Sequence, residues 1–342
     1  MAMTADRHAT RERLSDIDLA KGVAIFLVVL GHVVAREPPV GNEWYVGLKF
    51  AVYQFHMPFF MFLSGAVFRA TRPAAAGLRG YGPFVLGRLR RLAPGFALFA
   101  LLIWAGKAVA SRVIHVDNPQ SADLASLARI FTHPGASAAT SLWYVYVLLE
   151  LSLLFPLLLA AFRGRALPVL VVAAALHALP LGFALPELFA LDLLCEHALW
   201  FALGLLAIDH RRACVGAVAA NALPFYLGFG LSFLALLWLP DHAAKTIIGL
   251  ASLPAVYAFA NSFAAVRDRR GLLLLGEYTF TVYLMNTLAI GLAKGVLLEV
   301  LPWDHANFAL YFPLLLAAGL LGPIALHRAV LSRQPLLARI TK

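Results

Sequence analysis

The chain has 342 residues, of which 61% are hydrophobic and only 13% charged, and its mean hydropathy is +0.80. That balance excludes a water-soluble domain and predicts an all-α, polytopic integral membrane bundle. A net charge of +10 would suggest nucleic acid in a soluble protein, but here the basic residues fall between apolar runs, so lipids are the expected partner and nucleic acid is not.

In chain order, a basic lead (1–16) with Arg7, Arg11 and Arg13 precedes an apolar run, read as a retained signal anchor. Runs long enough to span a bilayer lie near 17–36, 46–68, 88–110, 141–162, 166–185, 187–208, 214–239, 245–265, 272–298 and 308–328, which predicts ten helices within a domain of residues 17–330 and a tail of 331–342. The connecting segments alternate in charge. Those on the side of the amino terminus hold 21 of the 28 Lys and Arg. By the positive-inside rule both termini are cytoplasmic, in a multi-pass protein of the cell membrane, of the bacterial inner-membrane kind. The longest outer loop, about 108–140, contains a helical stretch from Ser121 to Phe131 with Ser121 as its expected cap, either covering a lumen or serving as a solvated connector.

Ionisable groups are costly in hydrocarbon, which singles out His32 and His56 in the first two spans. Lys21 and His32 are 11 residues apart, about three helical turns, so they share a face with Asp18, and His32 is expected roughly 16 Å along the axis from Lys21, near mid-membrane. Each histidine is either functional or a packing device bonded to a neighbouring helix. Tyr53 and Gln54 are second-line partners or packing residues. Glu150 in the fourth span, and Asp192, Glu196 and His197 in the sixth, are further polar groups within apolar runs; the carboxylates line a cavity or pair with Lys294 or another cation. Cys195 and Cys214 give neither a disulfide framework nor metal-ligand spacing, and no Walker loop, dinucleotide fingerprint or metal motif is present, so no metal is expected.

Several stretches carry a resemblance. Lys21 and His32 frame the first span; Phe55-His56-Met57-Pro58 runs into Phe62-Leu63-Ser64-Gly65; Arg88, Arg91, Leu92 and Pro94 form R-x-x-R-L-x-P; Leu142 to Val145 read LWYV. Late in the chain LLGEYTFTVYLMNTL places Thr279, Tyr283, Leu284 and Asn286 in a recurring segment, Asn286 standing where histidine is common and so not counted as catalytic. The set resembles the membrane acyltransferase-3 family, in particular its polysaccharide O-acetylases similar to fucose 4-O-acetylase. The resemblance implies transfer of an acetyl group from acetyl-CoA, a co-substrate with no permanently bound cofactor, to a hydroxyl of a glycan or lipid-linked saccharide. It implies His32 and His56 as catalytic residues, with His32 as general base or acyl carrier. It makes Lys21, Arg88 and Arg91 the donor-binding cations, since guanidinium forks suit the phosphates of CoA, and Asp18, Tyr53, Gln54, Ser64, Glu150, Asp192, Glu196 and Tyr283 candidates to line the cavity. The competing expectation is a flippase or exporter of a lipid-linked glycan, for which ten spans with buried polar groups would also serve.

Overall fold

The computed structural model describes residues 15–34, 38–71, 80–110, 123–265 and 269–341, which contain helices and no strand. Fifteen α-helices follow in order: α1 Ser15–His32, α2 Glu43–Tyr53, α3 His56–Thr71, α4 Tyr81–Ala110, α5 Leu124–Thr132, α6 Trp143–Ala161, α7 Ala166–Ala178, α8 Leu191–Asp209, α9 Arg211–Ala220, α10 Ala222–Ser232, α11 Asp241–Ser262, α12 Arg270–Glu277, α13 Thr279–Leu298, α14 His305–Ala329 and α15 Pro335–Thr341. The protein is thus an all-α polytopic bundle. Among the described residues all ten predicted segments hold helix, and seven helical stretches are long and apolar enough to cross a bilayer. An eighth, α9 with α10, is bent by 84° rather than straight. The bend falls at Asn221, with Pro224 in the first turn of the new helix, where its missing N–H costs least. The other two differ from simple spans: α1 carries Asp16, Asp18 and Lys21 within 18 residues, and α7 has 13 residues before the 3₁₀ turn Leu179–Leu181.

Three boundaries depart from the sequence expectation. The first helix ends at His32 and does not run on to residue 36, because the Tyr45 hydroxyl inserts where its next hydrogen bond would form. That hydroxyl accepts from Val34 N–H at 3.2 Å and donates to the Leu30 carbonyl at 2.9 Å. Tyr53 Oη donates to the Gly31 carbonyl (3.0 Å) and Lys49 Nζ to that of Val34 (2.8 Å), so α2 caps the carbonyl end of α1. The ninth segment is split at Tyr278, and only α13 is a span. Its first part, α12, lies antiparallel on α1 with Gly276 against the Asp18 carbonyl and Gly22 against that of Leu272; a Cβ at either glycine would sit within 2.2 Å of that oxygen. Finally, α4 begins at Tyr81, so Arg88 and Arg91 lie inside a helix and not at its start. Between α4 and α6, α5 begins at Leu124 with Asp123 as its cap, accepting from Ser126 N–H at 2.7 Å; Ser121 lies outside the described residues.

The centre of the bundle is the seam between α3 and α8. A Cβ on Gly65 would stand 2.0 Å from the Phe201 carbonyl oxygen, and one on Gly204 2.1 Å from that of Phe62, so these glycines let two backbones touch. At one end of the bundle Arg69 makes a two-pronged ion pair with Asp209 (2.7 and 3.0 Å) and also reaches the Gly164 carbonyl. Arg211 meets Asp16 at 2.6 Å, and the Tyr257 hydroxyl donates to the same carboxylate. Segments that the charge alternation assigns to one side therefore meet at one end. The short helix α15 folds back here too, with Ile340 against Gly95 of α4 and the Thr341 carbonyl accepting from Thr281 of α13.

Candidate functional site

His32 is the last residue of α1 and is partly exposed. Its Nδ1 lies 2.9 Å from Oδ1 of Asn286 in α13. The carboxamide is oriented by its own helix: Nδ2 donates to the carbonyls of Val282 (3.0 Å) and Tyr283 (2.8 Å), which can only accept. The amide oxygen must then face His32, so Nδ1 carries the proton and Nε2 presents its lone pair. Asn286 is fully buried.

His56 opens α3 and is also held by Nδ1, which donates to the Val52 carbonyl at 2.9 Å across the break between α2 and α3. Its ring stacks on Tyr53 at 4.9 Å. Because the Tyr53 hydroxyl is bonded to Gly31, this ring fixes the spacing between α1 and His56. The third imidazole is His197 of α8, whose Nδ1 donates to the Leu193 carbonyl at 2.9 Å and whose ring lies 4.7 Å from Trp143. Gly65 and Phe62 of α3 meet Phe201 and Gly204 of α8, and His56 and His197 each precede those contacts in their own helix. His56 is in electrostatic reach of both His32 and His197. No hydrogen-bond partner meets Nε2 of any of the three among the described residues.

About two turns along α3, Ser64 donates to the Phe60 carbonyl at 2.9 Å and pairs with the Tyr144 hydroxyl. Tyr144 packs on Phe60 (4.7 Å) and on Tyr283 (4.9 Å). These rings form an apolar wall between α3, α6 and α13, and Tyr283 also offers the carbonyl that orients Asn286.

The remaining predicted residues are dispersed. Lys21 pairs with Asp18 at 2.7 Å at the other end of α1 from His32, roughly 16 Å along the axis. Arg88 lies over the rings of Phe68 (5.6 Å) and Phe84 (5.4 Å), and Arg91 is exposed. Gln54 is buried, donating to the Phe50 carbonyl with Oε1 left without a partner. Glu150 Oε2 and Asp192 Oδ1 are likewise buried and unpartnered. Lys294 sits over Trp303 at 3.9 Å, and neither Asp192 nor Glu196 has an ion pair among the described residues. Those residues also hold no cluster of three or more His, Cys, Asp or Glu able to bind a metal.

Sequence reasoning missed Asn286, Tyr144 and the placement of His197. Two carried a signal: Asn286 occupies a position where histidine is common, and Tyr144 lies within the LWYV stretch. Comparisons with curated proteins and with solved structures gave no match. The family model described as an acyltransferase domain matches residues 14–328 and so takes in every element from α1 into α14. With a partly exposed imidazole whose free nitrogen is set by a buried amide, within helices that this match spans, the chain belongs to the membrane acyltransferase-3 family and is a membrane-type acyltransferase.

Proposed function

We propose that the protein transfers an acetyl group from acetyl-CoA to a hydroxyl of a cell-envelope or exopolysaccharide sugar, with His32 as general base. The observation that carries this reading is the His32–Asn286 bond, which leaves Nε2 as the only basic nitrogen of the ring. An alcohol is a poor nucleophile at neutral pH, and an imidazole is the side chain whose ordinary pKa suits it to take that proton. In the proposed step Nε2 accepts the hydroxyl proton as the alkoxide oxygen bonds to the thioester carbonyl. The tetrahedral adduct then expels the CoA thiolate, which takes the proton from the imidazolium. Asn286 holds the ring throughout and, being a neutral amide, accepts no proton itself. Arg88 and Arg91 would meet the CoA phosphates from the cytoplasm, and the acceptor would approach from the side of α2 and Lys49.

The test is His32→Gln, which keeps hydrogen-bonding capacity without basicity. At equal protein level in the membrane, cell-surface glycans should lose their O-acetyl groups, a defect of roughly 10²- to 10⁴-fold in transfer rate. Wild-type O-acetylation by this variant would end the acetyl-transfer mechanism and favour an exporter.

A further inference from the structure

Beside the three imidazoles lies a group of polar atoms that the transfer step does not use. Glu150 projects from α6 and Asp192 from α8, close enough to interact. One oxygen of each, Oε2 and Oδ1, is sealed from solvent and accepts no hydrogen bond. A buried acceptor without a donor is costly, and two on different helices facing one region are an arrangement that a donor-rich ligand would relieve. His197 is the independent sign that they face a ligand. It is only 4% exposed, its Nδ1 is committed to Leu193, and its Nε2 meets no partner among the described residues. The ring leans back along α8 toward Asp192, with which it interacts as it does with Glu196. Trp143, at the start of α6, closes the other side of His197 with its ring 4.7 Å away.

Acceptors on two carboxylates, an imidazole nitrogen and an aromatic face form a set suited to one class of molecule. Sugar hydroxyls donate to carboxylates, while the C–H face of a pyranose ring lies against an indole. His197 is in electrostatic reach of His56, which is in turn in reach of His32. We propose that Glu150, Asp192 and His197, with the face of Trp143, form the acceptor subsite and select an uncharged sugar over a uronic acid, whose charge would be buried there with no cation among the described residues paired to either acid. This inference rests on the acetyl-transfer reading for its place in the reaction, but binding can be measured without turnover.

The experiment uses the full chain in lipid nanodiscs and saturation-transfer NMR with methyl glycosides of glucose, galactose, mannose and N-acetylglucosamine, against methyl glucuronide. Acetyl-CoA binding is read on the same preparations. At least one neutral glycoside should bind and the glucuronide should not. Glu150→Gln, Asp192→Asn and Trp143→Ala should each weaken the neutral ligand at least tenfold, with acetyl-CoA affinity reporting that the fold persists. Absence of binding by every neutral glycoside, equal binding of the glucuronide, or unchanged affinity in both isosteric variants would overturn the subsite. Sugar binding that responds as expected in a protein with no affinity for acetyl-CoA would uphold the subsite and sink the donor assignment instead.

Discussion

Asn286 Oδ1 stands 2.9 Å from His32 Nδ1 and joins two residues 254 positions apart, one ending a helix and the other fully buried inside another. The amide acts on the tautomer. Asn286→Leu removes the acceptor for Nδ1–H and lets the proton move to Nε2, which silences the base while leaving donor binding intact. The expected result is a fall in kcat of about 10²-fold with little change in KM for acetyl-CoA. A rise in KM alone would assign Asn286 to the donor site.

The same amide argues against a long-lived acyl-histidine. An acyl group on Nε2 would leave Nδ1 protonated beside an amide oxygen that takes no proton, so the adduct would stay cationic and reactive. Incubation with labelled acetyl-CoA in the absence of acceptor should therefore leave no label on His32 in protein kept near neutral pH. Stoichiometric labelling that is lost in His32→Gln would replace the general-base step by covalent relay.

Donor recognition is tested at the cations. Arg91→Ala and Arg88→Ala should each weaken acetyl-CoA binding, the loss of one charge-assisted bond being worth about 1.5–3 kcal/mol. Lys should restore only part at Arg88, since its planar group stacks on Phe68 and Phe84. Binding unchanged in both alanine variants would leave the pair as topology determinants.

Tyr45→Phe isolates the helix-stopping hydroxyl. The ring keeps its neighbours Trp44, Phe308 and Phe312, while Val34 N–H and the Leu30 carbonyl lose their shared partner. A stability loss of about 1–3 kcal/mol is expected in thermal unfolding in detergent, with reduced transfer as α1 and His32 shift. Full stability and activity would show that α1 ends at His32 for another reason.

Sidedness has a native probe. Cys214 is exposed on α9 and Cys195 is buried, so an impermeant maleimide should label Cys214 in inverted vesicles and not in intact cells. In a Cys214→Ser background, Leu124→Cys on the exposed start of α5 should show the opposite pattern. The reverse pair of results would invert the topology and place the donor site on the outer face.

The positions of the helices were legible because hydropathy is a local property: all ten runs hold helix among the described residues, and Tyr53 links the end of α1 to His56. What was hidden depends on distant partners. The end of α1 is set by Tyr45, which lies beyond the intervening loop. The break at Tyr278 comes with the close approach of Gly276 to Asp18, visible only once α12 is packed on α1. The sequence alone made His32 an interior residue of a longer helix, and it is the terminal one. Asn286 looked like a departure from a pattern because its partner could not be seen.

The contact of Gly65 with Gly204 also bears on the order in which the protein is built. Helices inserted early, α3 among them, must wait in the bilayer until α8 has been synthesised before their backbones can close. A long-range seam of this kind forms late and exposes its faces meanwhile. A nascent chain that stops after α7 would carry His32 and His56 yet lack both His197 and the amide of Asn286. The bond that fixes the His32 tautomer would then arrive only as α13 emerges, so half-made copies in the membrane lack it.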